Sequence, residues 1–520
     1  MMRRIFAIVV SSLVLVAAPA SAEVRLPAFF SDGMVLQQGT RVPVWGFADP
    51  GEEVSVTLSG QTRTVKADSE GRWMMRLDQL KAGGPLEMTV AGKNTITMRD
   101  ILVGEVWIAS GQSNMEWPVS KAASAQSVVA VADFPQIRMF TVQRAVAEGP
   151  RLDLTGAWKK CLPETVGDFS AVGYFFAREL HRKIGLPIGI IHTSWGGTPA
   201  EAWTSRAALE ADPELRIILQ HSDKDVAEYL RFKDMYDAMV KVWRIEADKA
   251  EAEGRPKPKR PKVPVGPQSR KHPANLFNAM VAPLIPYGIK GVIWYQGEQN
   301  VHDPKLYGRL FPALIRDWRA RWGQGDFPFL FVQLPNFLPH RTPEARTERT
   351  TEPSEGEWPH LREAQLGALA LPNTAMVVAI DIGDPVDLHP KNKQDVGHRL
   401  ALAAEAVAYS RPVVYSGPIF DAMRVEDRKA ILSFRHVSGG LEAKGGQLIG
   451  FVVAGSERRF VRAEARIVGD RVEVWSPEVD RPIAIRYCWA DNPACSLYNR
   501  EGLPASPFRT DDWPMPPPLR

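Results

Sequence analysis

Hydrophobic and polar positions change rhythm twice along the chain. From Glu23 to about Asp100, Val42–Gly46, Val54–Leu58, Arg63–Lys66 and Leu86–Val90 each alternate with a period of two. The turn-forming clusters Asp49-Pro50-Gly51, Glu70-Gly71 and Gly83-Gly84-Pro85 fall between these runs. Successive strand side chains point to opposite faces, so this pattern predicts a small β-sandwich domain over residues 23–100.

After Asp100 the period lengthens. Val172, Phe176, Leu180 and Ile184 recur at helical steps, as do Tyr307, Phe311, Leu314, Trp318 and Trp322 beyond Asp303-Pro304. Between and around them lie nearly continuous apolar runs: Ile101–Ala109, Pro187–Thr193, Ile289–Tyr295, Phe329–Leu334 and Ala375–Ile380. A further helix is expected over Leu400–Ala408. Buried strands alternating with amphipathic helices predict an α/β domain over residues 101–410, a parallel sheet with helices on both faces. A charged insertion at about 206–270 interrupts it and contains the Pro-Lys run Arg255–Lys262, read as a solvated surface loop. Residues 341–357 read as a second exposed loop, and from 411 to 520 short strands return as a β-rich C-terminal module.

Composition narrows the classes. The chain of 520 residues is 45% hydrophobic and 24% charged, enough apolar surface to offset the ordering entropy of a folded core. With 64 basic against 60 acidic residues, the net charge of +4 does not suit an electrostatic nucleic-acid binder. Three cysteines exclude a disulfide scaffold, and no Cys/His cluster has zinc-like spacing. Cys488 and Cys495 are placed for a local disulfide, with two free thiols as the alternative. At the N-terminus Arg3-Arg4, the apolar run Ile5–Ala18 and Ala20-Ser21-Ala22 form a signal-peptide pattern over residues 1–22. No later stretch is long and apolar enough to span a bilayer, so the expectation is export to a periplasm or beyond.

Four motifs follow strands, where open parallel sheets bind ligands. Gly111-Gln112-Ser113-Asn114-Met115 presents a serine on a turn, either a nucleophile or a helix cap, and Ser110 offers a second hydroxyl. Gly196-Gly197 after His192-Thr193-Ser194-Trp195 suits an oxyanion hole, or simply a tight turn. The amides of Gln296 and Asn300 could donate to an acyl oxygen and Glu298 could bind a sugar hydroxyl or support the histidine, or these groups could merely brace a loop. His389 follows Asp381, Asp384 and Asp387, any of which could fix its tautomer. The first motif is not a Gly-x-Ser-x-Gly elbow, which weighs against a lipase or protease.

Gly111–Met115, Trp294-Tyr295-Gln296-Gly297-Glu298 and Asp387-Leu388-His389-Pro390 resemble the sialate O-acetylesterases and related acetylxylan esterases, a branch of the SGNH-type hydrolases. Phe30–Gln37 looks like that family's opening and Asn499–Thr510 its close. The resemblance implies an SGNH-like α/β fold and serine esterase activity on an O-acetylated glycan, without metal or organic cofactor. It makes Ser113 the nucleophile and His389 the base. Asp387 is the first choice for the third member, against Asp384, Asp381, Glu298 or a main-chain carbonyl. The Ser113 N–H and Gly196 or Gly197 would form the oxyanion hole, with Gln296 or Asn300 assisting. Two departures stand out: Val386 occupies the usual aspartate position three before the histidine, and the Gly-x-Asn block reads Gly297-Glu298-Gln299-Asn300. Trp117, Trp195, Trp203 and Tyr295 are candidate sugar platforms. A glycan-binding protein that has lost catalysis is the competing class.

Overall fold

The computed structural model describes residues 23–338, 348–353 and 356–514. The signal-peptide reading of residues 1–22 lies outside these, as does much of the exposed loop expected at 341–357.

The core is a seven-stranded sheet. Its strands are β1 (Thr95–Gly111), β2 (Phe134–Thr141), β3 (Trp158–Cys161), β4 (Ile188–Ser194), β5 (Gly291–Tyr295), β6 (Phe329–Val332) and β7 (Thr374–Val377). They lie in the order β7-β6-β5-β1-β4-β2-β3. All neighbours are parallel except the edge pair β2 and β3. β4 and β5 flank β1 on opposite sides, so the winding direction reverses at β1 and opens a crevice beyond its carboxyl end.

The helices include α1 (Ala171–Ile184), α2 (Arg216–Ala252), α3 (Pro304–Trp322) and α4 (Lys393–Tyr409). Their starts are legible in side-chain caps: Ser170, Asp303 and Asn392 accept from the backbone N–H of Gly173, Leu306 and Asp395. α4 begins seven residues before the expected Leu400, because Asn392 caps it and Val396 already faces the core.

The expected boundary at residue 100 falls inside β1. Its first part pairs with Gly83–Ala91 and Val35–Gln37 of the N-terminal sheet, and its second part enters the core between β4 and β5. One strand thus couples the two sheets, and Asp100, at φ 57°, marks the bend. Arg138 buries its guanidinium there with two bonds to the Asp100 carboxylate, at 2.8 and 3.0 Å.

The insertion is dominated by α2, 37 residues long with non-helical backbone at Phe232. The Pro-Lys run lies back along it, its Pro258 carbonyl accepting from Trp243 Nε1 at 2.9 Å. The C-terminal module has its own core, including Leu432, Val453, Val472, Ile485 and Phe508. Cys488 and Cys495 are joined by a disulfide. The module is keyed to the α/β domain by Arg362, which is fully buried and donates to the carbonyls of Ala490 and Asp491.

Candidate active site

Ser113 starts a single helical turn, Ser113–Glu116, immediately beyond the end of β1. It is half-buried at the floor of the crevice, whereas Ser110 is fully buried within β1 and presents no hydroxyl to solvent. That separates the two serines. His389 arrives on the loop between β7 and α4, and Asn114 binds this loop to the serine turn. Its Nδ2 donates to the Leu388 carbonyl at 3.0 Å and to Glu298 Oε1 at 2.5 Å, while its Oδ1 accepts from Lys393 Nζ. One buried amide therefore ties together the motifs after β1, β5 and β7.

The His389 ring is held by two further contacts. Trp117 stacks on it, with centroids 5.0 Å apart and planes 14° apart. Asp387 Oδ1 accepts from the His389 backbone N–H at 2.9 Å and lies 3.6 Å from Nδ1. Burial and the nearby Lys393 ammonium hold the imidazole below its ordinary pKa, with Asp387 opposing them. The other candidate acids have different partners. Asp381 is clamped by Arg399 through two bonds of 2.7 and 2.8 Å, and Asp384 accepts the N–H groups of Val386 and Asp387 within the turn.

Beneath these groups Lys393 is almost completely buried, between the rings of Trp117 and Tyr295. Burial pushes its pKa down to about 7, against the pull of Glu298 and Asp387. Burial raises the Glu298 carboxyl above its ordinary value. Its Oε1 braces Asn114, and its buried Oε2 has no hydrogen-bond partner among the described residues.

The glycine pair closes the other wall. A Cβ on Gly196 would stand 3.2 Å from Ser113 Cβ and 2.9 Å from Glu116 Oε2, so the chain passes the serine where a side chain does not fit. The Gly196 N–H itself donates to Glu116 Oε2 at 2.8 Å, which removes it from the set of free oxyanion donors. Arg144 holds Glu116 in that position. Gly197, at φ 68°, and Ser113 keep N–H groups without an acceptor among the described residues.

The amides expected to assist are turned inward. Gln296 Nε2 donates to Asn300 Oδ1 at 2.7 Å, and Asn300 Nδ2 donates to Glu201 Oε2 at 2.9 Å. The Ala200 N–H donates to the same Asn300 oxygen. Both side chains brace the loops after β4 and β5. Two of the aromatic platforms are likewise structural: Trp203 and Tyr295 are buried, with Trp203 Nε1 bonded to Thr198. Trp117 covers His389, leaving Trp195, half-buried beside Arg144 and Arg270, as an accessible face.

Residues 270–406 match the family model described as carbohydrate esterase, sialic acid-specific acetylesterase. Human sialate O-acetylesterase is 31% identical over 93% of this chain and 92% of its own length. The rat enzyme of the same name is 34% identical over 79% of both chains. The chain belongs to the sialate O-acetylesterase family. It is thus a carboxylic ester hydrolase of the carbohydrate-esterase kind. The crystal structure of a carbohydrate acetylesterase from Xanthomonas citri superposes with a TM-score of 0.78 at 40% identity, covering 94% of this esterase and 100% of that chain. The match extends over both flanking β-rich regions as well as the α/β core.

Among the described residues no group of three or more His, Cys, Asp or Glu side chains is arranged to hold a metal ion. None of their helices is long and apolar enough to cross a membrane. Sequence reasoning missed the roles of Asn114, Glu116, Arg144 and Lys393. Asn114 stood inside the quoted serine motif, but nothing in the linear text marks Lys393, four residues past His389 and aimed back under it.

Proposed function

We propose that this protein is an exported serine esterase that removes O-acetyl groups from a glycan, with sialate esters as the first substrate class. The observation that carries the reading is the Asn114 bridge, which joins the Ser113 turn to the His389 loop in a family of known carbohydrate esterases.

In the proposed reaction His389 takes the Ser113 hydroxyl proton as the oxygen attacks the acetyl carbonyl carbon. The carbonyl π electrons move to oxygen, and the Ser113 and Gly197 N–H groups stabilise that oxyanion. Each such donor contributes about 3 kcal/mol in comparable sites. Collapse expels the sugar alkoxide, which receives the proton from His389. Water then attacks the acetyl-serine by the same route, releasing acetate and restoring the serine. Asp387 steadies the imidazolium that forms twice in the cycle.

The Xanthomonas citri neighbour is described only as a carbohydrate acetylesterase, so an acetylated plant or microbial polysaccharide such as xylan is a second substrate reading. The basic and apolar N-terminal pattern with Ala20-Ser21-Ala22 supports export, to a periplasm or beyond. The test is acetate release from an aryl acetate, 9-O-acetylated sialic acid and acetylated xylan, with Ser113→Ala alongside. The wild type is expected to release acetate and the variant to lose this by at least roughly a thousandfold. Undiminished release by the folded variant overturns the serine mechanism. No release by the wild type moves the glycan-binding reading to the front.

A further inference from the structure

A cavity of about 510 Å³ opens beside the catalytic crevice, under the first turns of α2. Its volume is within the roughly 300–1,000 Å³ typical of small-molecule sites. Three chain segments serve both spaces. Gly196 passes against Ser113, and three residues on Pro199 lines the cavity. Arg270 Nη2 lies 3.7 Å from a Cβ built on Gly197, and Lys271 lines the cavity. The Gln299 N–H donates to Gln112 Oε1 beside the serine, and Gln299 lines the cavity too.

We propose that this cavity is the subsite for an uncharged pyranose adjoining the acetylated sugar, so that the substrate is an oligosaccharide or longer glycan. The proposal rests on the esterase reading and specifies which part of the glycan the protein grips. Its polar lining fits hydroxyl groups of either hydrogen-bonding sense. Glu201, Asp225 and Asp303 present acceptors, and Lys271 presents an ammonium with no partner among the described residues. Ser222, only 7% exposed, lines the same space with an unsatisfied Oγ. A buried hydroxyl left unpaired costs free energy, which a ligand hydroxyl would recover.

Charge decides between sugar classes. Asp225 and Asp303 set carboxylates against Lys271, while burial favours the neutral form of Glu201, so a carboxylate-bearing ring would meet like charge where a neutral one does not. Ile217, Leu306 and Leu310 add the apolar surface that the C–H face of a pyranose covers. Ile217 is 37% exposed on α2, an apolar side chain whose position this contact explains.

The test uses the full chain and its Ile217→Arg and Asp225→Ala variants, both on the solvent-facing wall. kcat and KM are measured on an aryl acetate and on O-acetylated sialyl-lactose and xylo-oligosaccharides. The expected result is a fall of at least tenfold in the oligosaccharide-to-aryl-acetate ratio of kcat/KM, carried by KM on whichever oligosaccharide the wild type cleaves faster. An unchanged ratio in both variants overturns the subsite, as does cleavage of the aryl acetate with no oligosaccharide cleaved. A wild type inert to the aryl acetate as well overturns the esterase reading itself. Binding of deacetylated oligosaccharide to Ser113→Ala, weakened tenfold or more by Ile217→Arg, gives a second readout independent of turnover.

Discussion

The Trp117 indole lies nearly parallel to the His389 imidazole at 5.0 Å, and the two residues come from motifs 272 positions apart in the chain. At 3.6 Å from Asp387 Oδ1, His389 Nδ1 is beyond ordinary hydrogen-bond distance, which leaves the stack to restrain the ring plane. Removing it frees the imidazole to rotate. Trp117→Ala is expected to lower kcat on an aryl acetate by about 10–100-fold, the range that misplacement of a reacting group produces. Trp117→Phe preserves a stacking face and should recover most of the loss. Equal activity in wild type and Trp117→Ala would show that another contact orients the ring.

The acidic limb of the pH profile depends on Lys393. Burial and the Lys393 charge disfavour the His389 imidazolium, so the imidazole proposed as base stays neutral below its ordinary pKa of about 6.5. The kcat/KM of the wild type should therefore rise with an apparent pKa below that value. Lys393→Met removes the cation, makes the imidazolium easier to form and shifts the limb to higher pH. Rate profiles between pH 4 and 9 check this, and a limb that moves to lower pH would contradict the electrostatic assignment.

Gly196 gives a steric prediction. An alanine methyl there meets Glu116 Oε2 and Ser113 Cβ within 3.2 Å, and neither can withdraw without moving the serine turn or releasing the Gly196 N–H. Gly196→Ala should lower kcat/KM by about a hundredfold while circular dichroism stays native. A fully active variant would mean that the turn yields freely.

The elements that carry strong periodicity were legible before the fold was known. β1, β4, β5, β6 and β7 each lie over an expected apolar run, and the carboxyl ends of β1, β4, β5 and β7 lead into the four motifs. β2 and β3 were not legible. Phe134-Pro135-Gln136 opens β2 with a proline and exposed positions, and in β3 two adjacent exposed lysines between Trp158 and Cys161 break the alternation at the sheet edge. The extra length of β1 was hidden as well, because a composition shift marked residue 100 where the backbone simply continues. At the site, Ser113 and His389 stood out as residue types at strand ends. The Asn114–Lys393–Glu298 network did not, since its members are separated by up to 279 positions and meet only through the parallel sheet. Gln296 and Asn300 had the right chemistry at the right strand end, and only the direction of their amides shows that they brace Glu201 and Ala200.

Asp381 and Asp387 were indistinguishable as text, and their surroundings now predict opposite behaviour. Asp381 and Arg399 are each only 9% exposed at their side chains and paired through two bonds, so neutralising one partner strands a buried charge. Asp381→Asn is expected to cost about 3 kcal/mol of stability, seen as a lower Tm, with kcat per folded molecule close to wild type. Asp387 is 43% exposed at its side chain and contributes one backbone bond, so Asp387→Asn should leave Tm nearly unchanged. Its loss would appear in turnover, because an amide cannot stabilise the imidazolium that the proposed mechanism forms at His389. A fall in kcat of at least roughly a hundredfold is expected. Thermal denaturation and aryl-acetate kinetics on both variants separate the roles. Full kcat in Asp387→Asn would exclude it as the third member and leave a Ser113–His389 dyad, ordered by its indole neighbour and the main chain.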